Sequence, residues 1–160
     1  MTSLPEPEPI RTSRLVLEPV SAQTAQRLIA GDLSGLTPGT GWPHEDTMDG
    51  LGFVARGEAV SWLVTLDGAT VGDCGTLGGV DAEGLIEIGY GLAAPYRGKG
   101  YGTELVGALS RWLLARPAVR RVGAQTLADN VASQVVLERA GFRRLRAADG
   151  ILWYELSGSA

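Results

Sequence analysis

Residues 14–20 alternate apolar and polar positions, with Leu15 and Leu17 on one side, and predict a first strand. Ser21 is a fitting N-cap for a helix over 22–30, which Gly31 stops. Between 31 and 43 the periodicity disappears. Gly31, Gly35, Pro38, Gly39 and Gly41 predict a loop, ending in G-W-P-H-E-D. Asp46 or Thr47 starts a short helix through Val54. Two apolar runs, 60–66 and 70–77, flank Asp67-Gly68, a strong hairpin signal. After a turn over 78–84, residues 85–92 read I-E-I-G-Y-G-L behind Leu85 and predict a central strand. Leu105, Val106, Leu109, Trp112 and Leu113 then fall on one helical face, and Pro117 closes that helix. A strand over 119–127 and a helix over 130–140 ended by Gly141 follow. A last strand pair, 142–145 and 151–156, turns at Asp149-Gly150.

The central strand meets the next helix through P-Y-R-G-K-G-Y-G-T, residues 95–103. Gly98, Gly100 and Gly102 alternate with larger residues and permit positive φ or close approach to the backbone. The first amides of a helix have no intrahelical partner, so such a turn binds phosphate, and Arg97 and Lys99 add positive charge beside it. The P-loop pattern fails, because Gly98-Lys99 is followed by Gly100 rather than Ser or Thr. The dinucleotide pattern G-x-G-x-x-G fails as well, with Thr103 in place of its last glycine.

What fits is R-x-x-G-x-G over 97–102, which resembles the acyl-CoA-binding motif of the GNAT superfamily of N-acetyltransferases. The stretch N-V-A-S-Q-V-V-L-E-R-A-G-F, residues 130–142, is similar to the N-x-x-S…G-F segment of that family's second CoA-side helix. The stretch I-R-T-S-R-L-V-L-E-P-V, residues 10–20, resembles the first strand of its RimJ/RimL-like branch. The resemblance covers nearly the whole chain, in the family's order. It implies an α/β GNAT fold over 1–160: a mixed central sheet of about seven strands, flanking helices, and splayed parallel central strands that admit the pantetheine arm. It implies acetyl-CoA as co-substrate, held by Leu92, Arg97, Gly98, Lys99, Gly100, Tyr101, Gly102, Thr103 and Asn130. Asn130 suits an N-cap equally well.

Acetyl transfer to an amine asks for a base, because a free alkylamine is mostly protonated at neutral pH. Glu87, between Ile86 and Ile88, is the candidate base. Apolar surroundings would raise its pKa towards neutrality, whereas a solvated polar face of a half-buried strand is the plainer reading. Many family members carry an acidic residue here. Ser133 is the candidate acid for the departing thiolate, and an exposed helix serine is its plainer reading. Many members place a tyrosine acid where this chain has Leu137, so the usual donor is missing. His44, the single histidine, lies with Trp42 and Glu45 in the segment that covers the acceptor pocket in the family. These three are the candidate substrate residues, and Glu45, Asp46 and Asp49 could attract a cationic amine or simply form a solvated surface. Trp62, Trp112 and Trp153 fall on apolar patterns and predict core.

Composition narrows the partners. The net charge of −4 argues against a general affinity for nucleic acid. One cysteine, Cys74, excludes an internal disulfide framework, and a lone histidine predicts no metal site. No stretch has the length of a membrane span and no basic–apolar leader is legible, so a cytoplasmic protein is expected. Alternating prolines and glutamates over 1–9 predict an extended mobile tail, and the final S-G-S-A a loose one. The resemblance, with apolar residues 151–156 expected at a sheet edge, implies a homodimer. The functional expectation is transfer of acetyl from acetyl-CoA to a primary amine of a small molecule or peptide N-terminus. The alternatives are a non-catalytic acyl-CoA sensor and a nucleotide-phosphate binder unrelated to CoA.

Overall fold

Asp67 and Gly68 make the turn that the D-G pair predicts, both with positive φ, +49° and +84°. Across it β3 (Ser61–Leu66) and β4 (Ala69–Thr76) pair antiparallel, with one register shift after Val64. The computed structural model describes residue 2 and residues 4–158. In it these two strands belong to one mixed sheet of eight, with β1 (Ile10–Arg11), β2 (Val16–Pro19), β5 (Leu85–Leu92), β6 (Arg121–Leu127), β7 (Arg143–Ala148) and β8 (Ile151–Ser157). The spatial order is β1-β2-β3-β4-β5-β6-β8-β7. Only β5 and β6 run parallel; every other neighbouring pair is antiparallel. Eight strands stand where about seven are expected. The two-residue β1, which pairs Ile10 with Leu17, is too short to leave a period in the sequence.

Four helices cover the sheet: α1 (Ala22–Ile29), α2 (Thr47–Ala55), α3 (Tyr101–Leu114) and α4 (Val131–Arg139). Ser21 caps α1, its hydroxyl accepting from the Thr24 amide at 3.1 Å. On one face of the sheet the predicted stripe of α3, Leu105, Val106, Leu109, Trp112 and Leu113, packs with Ile86, Ile88 and Leu137 in the larger core. Trp62 and Trp112 meet there edge to face, ring centroids 5.1 Å apart. On the other face Leu63 packs with Ala25 and Leu28 of α1 and Leu51 and Val54 of α2.

Glu8 carries contacts within the segment expected as a tail. Its carbonyl accepts from the Trp62 indole at 2.8 Å and its carboxylate from the Trp112 indole at 3.2 Å. Residues 1 and 3, and residues 159–160 of the C-terminal tail, lie outside the described residues. The last strand departs from expectation in one respect. β8 is not at an edge: it pairs along its whole length with β6 and, from Ile151 to Glu155, with β7. The edge is β7, exposed throughout and carrying Arg143, Arg144 and Arg146. Charged edges resist strand addition, so this end of the sheet offers no apolar strand for self-association. The sequence does not reveal this order because a hairpin's second strand can fold to either side of the first.

Candidate active site

The glycine-rich turn leads from β5 through one 3-10 turn (Ala94–Tyr96) into α3. Gly98 and Gly100 have φ of +74° and +85°, a region costly for any residue with a Cβ. Gly102 serves differently: it lies inside α3, where a Cβ would press on Val136 of α4. Glu104 N–H donates to Gly100 O at 3.1 Å, so the amides ahead of it have no partner within the helix and can meet an anion. Arg97 is partly spent: its Nε donates to the Leu92 carbonyl at 2.9 Å. Lys99 is exposed, as are Arg97, Gly98 and Gly100, while Tyr101 and Thr103 are half-buried.

Beside this turn the two parallel strands part. Leu85, Ile86, Glu87 and Ile88 pair with Arg121, Val122, Gly123 and Ala124, and the pairing stops there. Residues 89–92 continue against β4 alone and residues 125–127 against β8 alone. On the α3–α4 face of this gap stands Tyr90, its phenol oxygen 2.7 Å from Ser133 Oγ. Burial raises the Tyr90 pKa, the Ser133 bond tempering the rise, so the phenol holds its proton at neutral pH. Asn130 Oδ1 accepts from the Ser133 amide at 3.1 Å and caps α4. Leu137 is fully buried in the core.

Glu87 projects to the opposite face, between core-facing Ile86 and Ile88. It is half-buried, and that burial raises its pKa, eased by the Gln125 side chain. Two residues on, Gly89 leaves the floor open except for Leu77. Two further, Gly91 lies beneath the His44 ring, where a Cβ would stand 2.6 Å from His44 Cε1. Four residues of strand, about 13 Å, separate Glu87 from Gly91, so Glu87 and His44 are not partners.

His44 instead belongs to a cluster around Asp73 on β4. Asp73 Oδ2 accepts from the Trp42 indole at 3.0 Å and from Thr47 Oγ1 at 2.7 Å. His44 Nε2 lies 3.2 Å from the same oxygen, off the line of its own N–H, which makes the contact an ion pair rather than a directed bond. Asp73 raises the His44 pKa against the opposing effect of burial, helped by Asp46 and the Gly91 backbone. Asp73→Ala strands two donors in a mostly buried place, removes the partner of His44 and is expected to cost about 3 kcal/mol, measured by urea unfolding. A raised folded pKa means that the His44 contribution is fully present below about pH 6.5 and fades as pH climbs through the raised value. The deficit should therefore narrow between neutral and alkaline pH.

Two groups of sequence candidates thus come together: the 97–103 turn, and Ser133 with Asn130 beside the gap. Glu87 lies at the gap's closed end. Trp42 is 5% exposed, packed into the second core, while Glu45 is on the surface. Sequence reasoning missed Tyr90, Asp73, Thr47 and Arg14. Tyr90 carries a hydroxyl on a core-facing strand position, which calls for a partner. Asp73 is a lone carboxylate inside the strand V-G-D-C-G. Arg14 offers no local signal, since its partners lie some 90 residues away.

A family model described as an acetyltransferase (GNAT) domain matches residues 13–143. The chain belongs to the GNAT acetyltransferase family. It is 32% identical over 111 residues to the uncharacterized N-acetyltransferase YjdG of Bacillus subtilis, a match that spans 63% of this chain and 66% of that protein. Among solved structures, it resembles RimL, a ribosomal L7/L12 alpha-N-protein acetyltransferase in complex with coenzyme A. That likeness has a TM-score of 0.69 at 20% identity and covers 94% of this chain and 98% of that one. Mycobacterium smegmatis RimJ in complex with CoA-disulfide gives a TM-score of 0.63 at 22% identity, with 94% and 86% covered. At these identities the likeness is one of fold, shared with the RimL and RimJ structures.

Proposed function

We propose that this GNAT domain is an N-acetyltransferase that moves acetyl from acetyl-CoA to a primary amine, on a small molecule or a peptide N-terminus. The observation that carries the reading is the parting of β5 and β6 beside a helix N-terminus preceded by two left-handed glycines. An anion-binding turn and an open slot in the sheet suit a donor with a diphosphate at one end and a thin arm at the other. Support also comes from the coenzyme A bound in the RimL and RimJ structures and the acetyl-CoA bound in the neighbour MccE.

In this reading the amine approaches from the Glu87 face. Its proton passes to Glu87, directly or through one water. The neutral nitrogen attacks the thioester carbonyl; the C–N bond forms and the oxyanion meets backbone N–H groups. The C–S bond then breaks, and the cationic nitrogen of the adduct gives up its remaining extra proton. A proton relayed through Ser133, hydrogen-bonded to Tyr90, reaches the thiolate and leaves Ser133 neutral, so that a neutral amide and CoA thiol depart. His44 and Glu45 border the acceptor side, with Trp42 behind them.

The test is a screen of amines and N-terminal peptides for release of free CoA thiol. Turnover with any primary amine supports the reading, and tight acetyl-CoA binding without turnover on any acceptor would replace it with a sensor. With one good acceptor, Ser133→Ala should lose less than tenfold in kcat, because a thiol pKa near ~8.5 makes the thiolate a good leaving group unaided. A loss as large as that of a base variant would give Ser133 a heavier part.

A further inference from the structure

Glu104 stands in the first turn of α3, where a carboxylate repels any anion approaching the same helix end. Its charge is not left alone. Thr12 Oγ1 donates to Oε2, the Arg14 amide donates to Oε2 at 2.8 Å, and Arg14 Nε donates to Oε1 at 2.8 Å. Burial pushes the Glu104 pKa up, and these bonds outweigh it, holding the group below the ordinary value and ionised.

The same guanidinium reaches further. Its Nη1 donates to the Lys99 carbonyl at 3.1 Å. Its carbon lies 4.3 Å from the Tyr101 ring centroid, and Nη2 lies 3.1 Å from where a Cβ on Gly100 would stand. One planar group, carried by the turn between β1 and β2, thus touches Lys99, Gly100, Tyr101 and Glu104. The Arg14 side chain is 45% exposed, so the ion pair adds little to global stability. What it does is local. It pairs with a carboxylate and occupies a carbonyl, the two acceptors here that would repel an anion at this helix end.

We propose that Arg14 is a positioning residue of the cofactor site, fixing the 98–103 turn so that its amides present to a diphosphate-bearing donor. The proposal rests on the reading of that turn as the acetyl-CoA diphosphate site. A lysine cannot replace Arg14, because a point charge cannot hold Glu104, the Lys99 carbonyl and the Tyr101 face together.

The experiment measures dissociation constants of acetyl-CoA and of acetylpantetheine, which has the thioester arm and no diphosphate, for the parent, Arg14→Ala and Arg14→Lys. Both variants should bind acetyl-CoA about tenfold more weakly than the parent, the worth of one charge-assisted contact. Both should bind acetylpantetheine as the parent does. A lysine variant at parent affinity would reduce Arg14 to a charge and overturn the positioning role, as would two variants indistinguishable from the parent. Equal losses for both ligands would mean a general disturbance of the cleft, which also overturns it. A parent that binds the two ligands equally would instead remove the diphosphate reading of the turn, a separate failure visible before any variant is made.

Discussion

Glu87→Gln should bind acetyl-CoA with parent affinity and turn over about 10²–10⁴-fold more slowly near neutral pH. The swap is nearly isosteric, and Gln keeps a carbonyl oxygen that can accept from Gln125. What it lacks is a lone pair basic enough to take a proton. Burial raises the Glu87 pKa, which brings it closer to that of an amine acceptor than an exposed glutamate would be. Below its raised pKa the parent also loses the basic form, so the parent's kcat/KM should fall on the acid side and the variant's should not follow it. On the alkaline side the deficit should shrink, as more amine arrives already neutral. The measurement is a pH–rate profile of parent and variant with one good acceptor. Identical profiles would mean that the amine gives its proton to solvent or to His44.

Gly100→Val should abolish measurable acetyl-CoA binding by calorimetry while the protein stays folded. Gly100 has a φ of +85°, a conformation that a β-branched residue reaches only with strain of about 1–3 kcal/mol. Its new side chain would meet Arg14 Nη2 and stand over the turn proposed to receive the donor. Relief of either conflict moves the start of α3. Gly98→Val is the useful companion, since Gly98 has positive φ, +74°, and no neighbour within contact distance. Loss at both positions points to backbone strain, and loss at Gly100 alone points to crowding of the turn. Parent affinity for Gly100→Val would sink the assignment of the turn to the cofactor.

Much of the fold was legible because its signals are local. The α3 stripe, the Asp67-Gly68 turn, the caps at Ser21 and Asn130 and the apolar alternation of β5 each depend on residues within one or two turns of chain. The turn over 97–103 was legible for the same reason, its glycine spacing being written in consecutive residues. What stayed hidden is relational. Whether β8 lies outside or inside β7 depends on which strand of the hairpin offers its backbone edge to β6, and the local alternation does not say which. The Asp73 cluster joins residues 42, 44, 47 and 73 through a loop of no period. Tyr90 and Ser133 meet across 43 residues, and only the fold reveals that the missing helix tyrosine has a strand tyrosine nearby. Arg14 was part of a motif noted for its strand, while its side chain serves the far end of the chain.

The four residue pairs that join β5 to β6 have a mechanical consequence. They are the entire seam between a five-stranded half-sheet and a three-stranded one, against seven pairs between β6 and β8. In the proposed binding mode, a donor lodged where the strands part would touch both halves at once and act as mortar as well as reagent. By mass action a ligand present at a hundred times its dissociation constant adds about 2.7 kcal/mol to stability. Here that increment would fall on the parallel join of the sheet. The loaded and empty protein should therefore differ in stiffness along this seam, so that each turnover loosens and re-tightens the same line through the sheet.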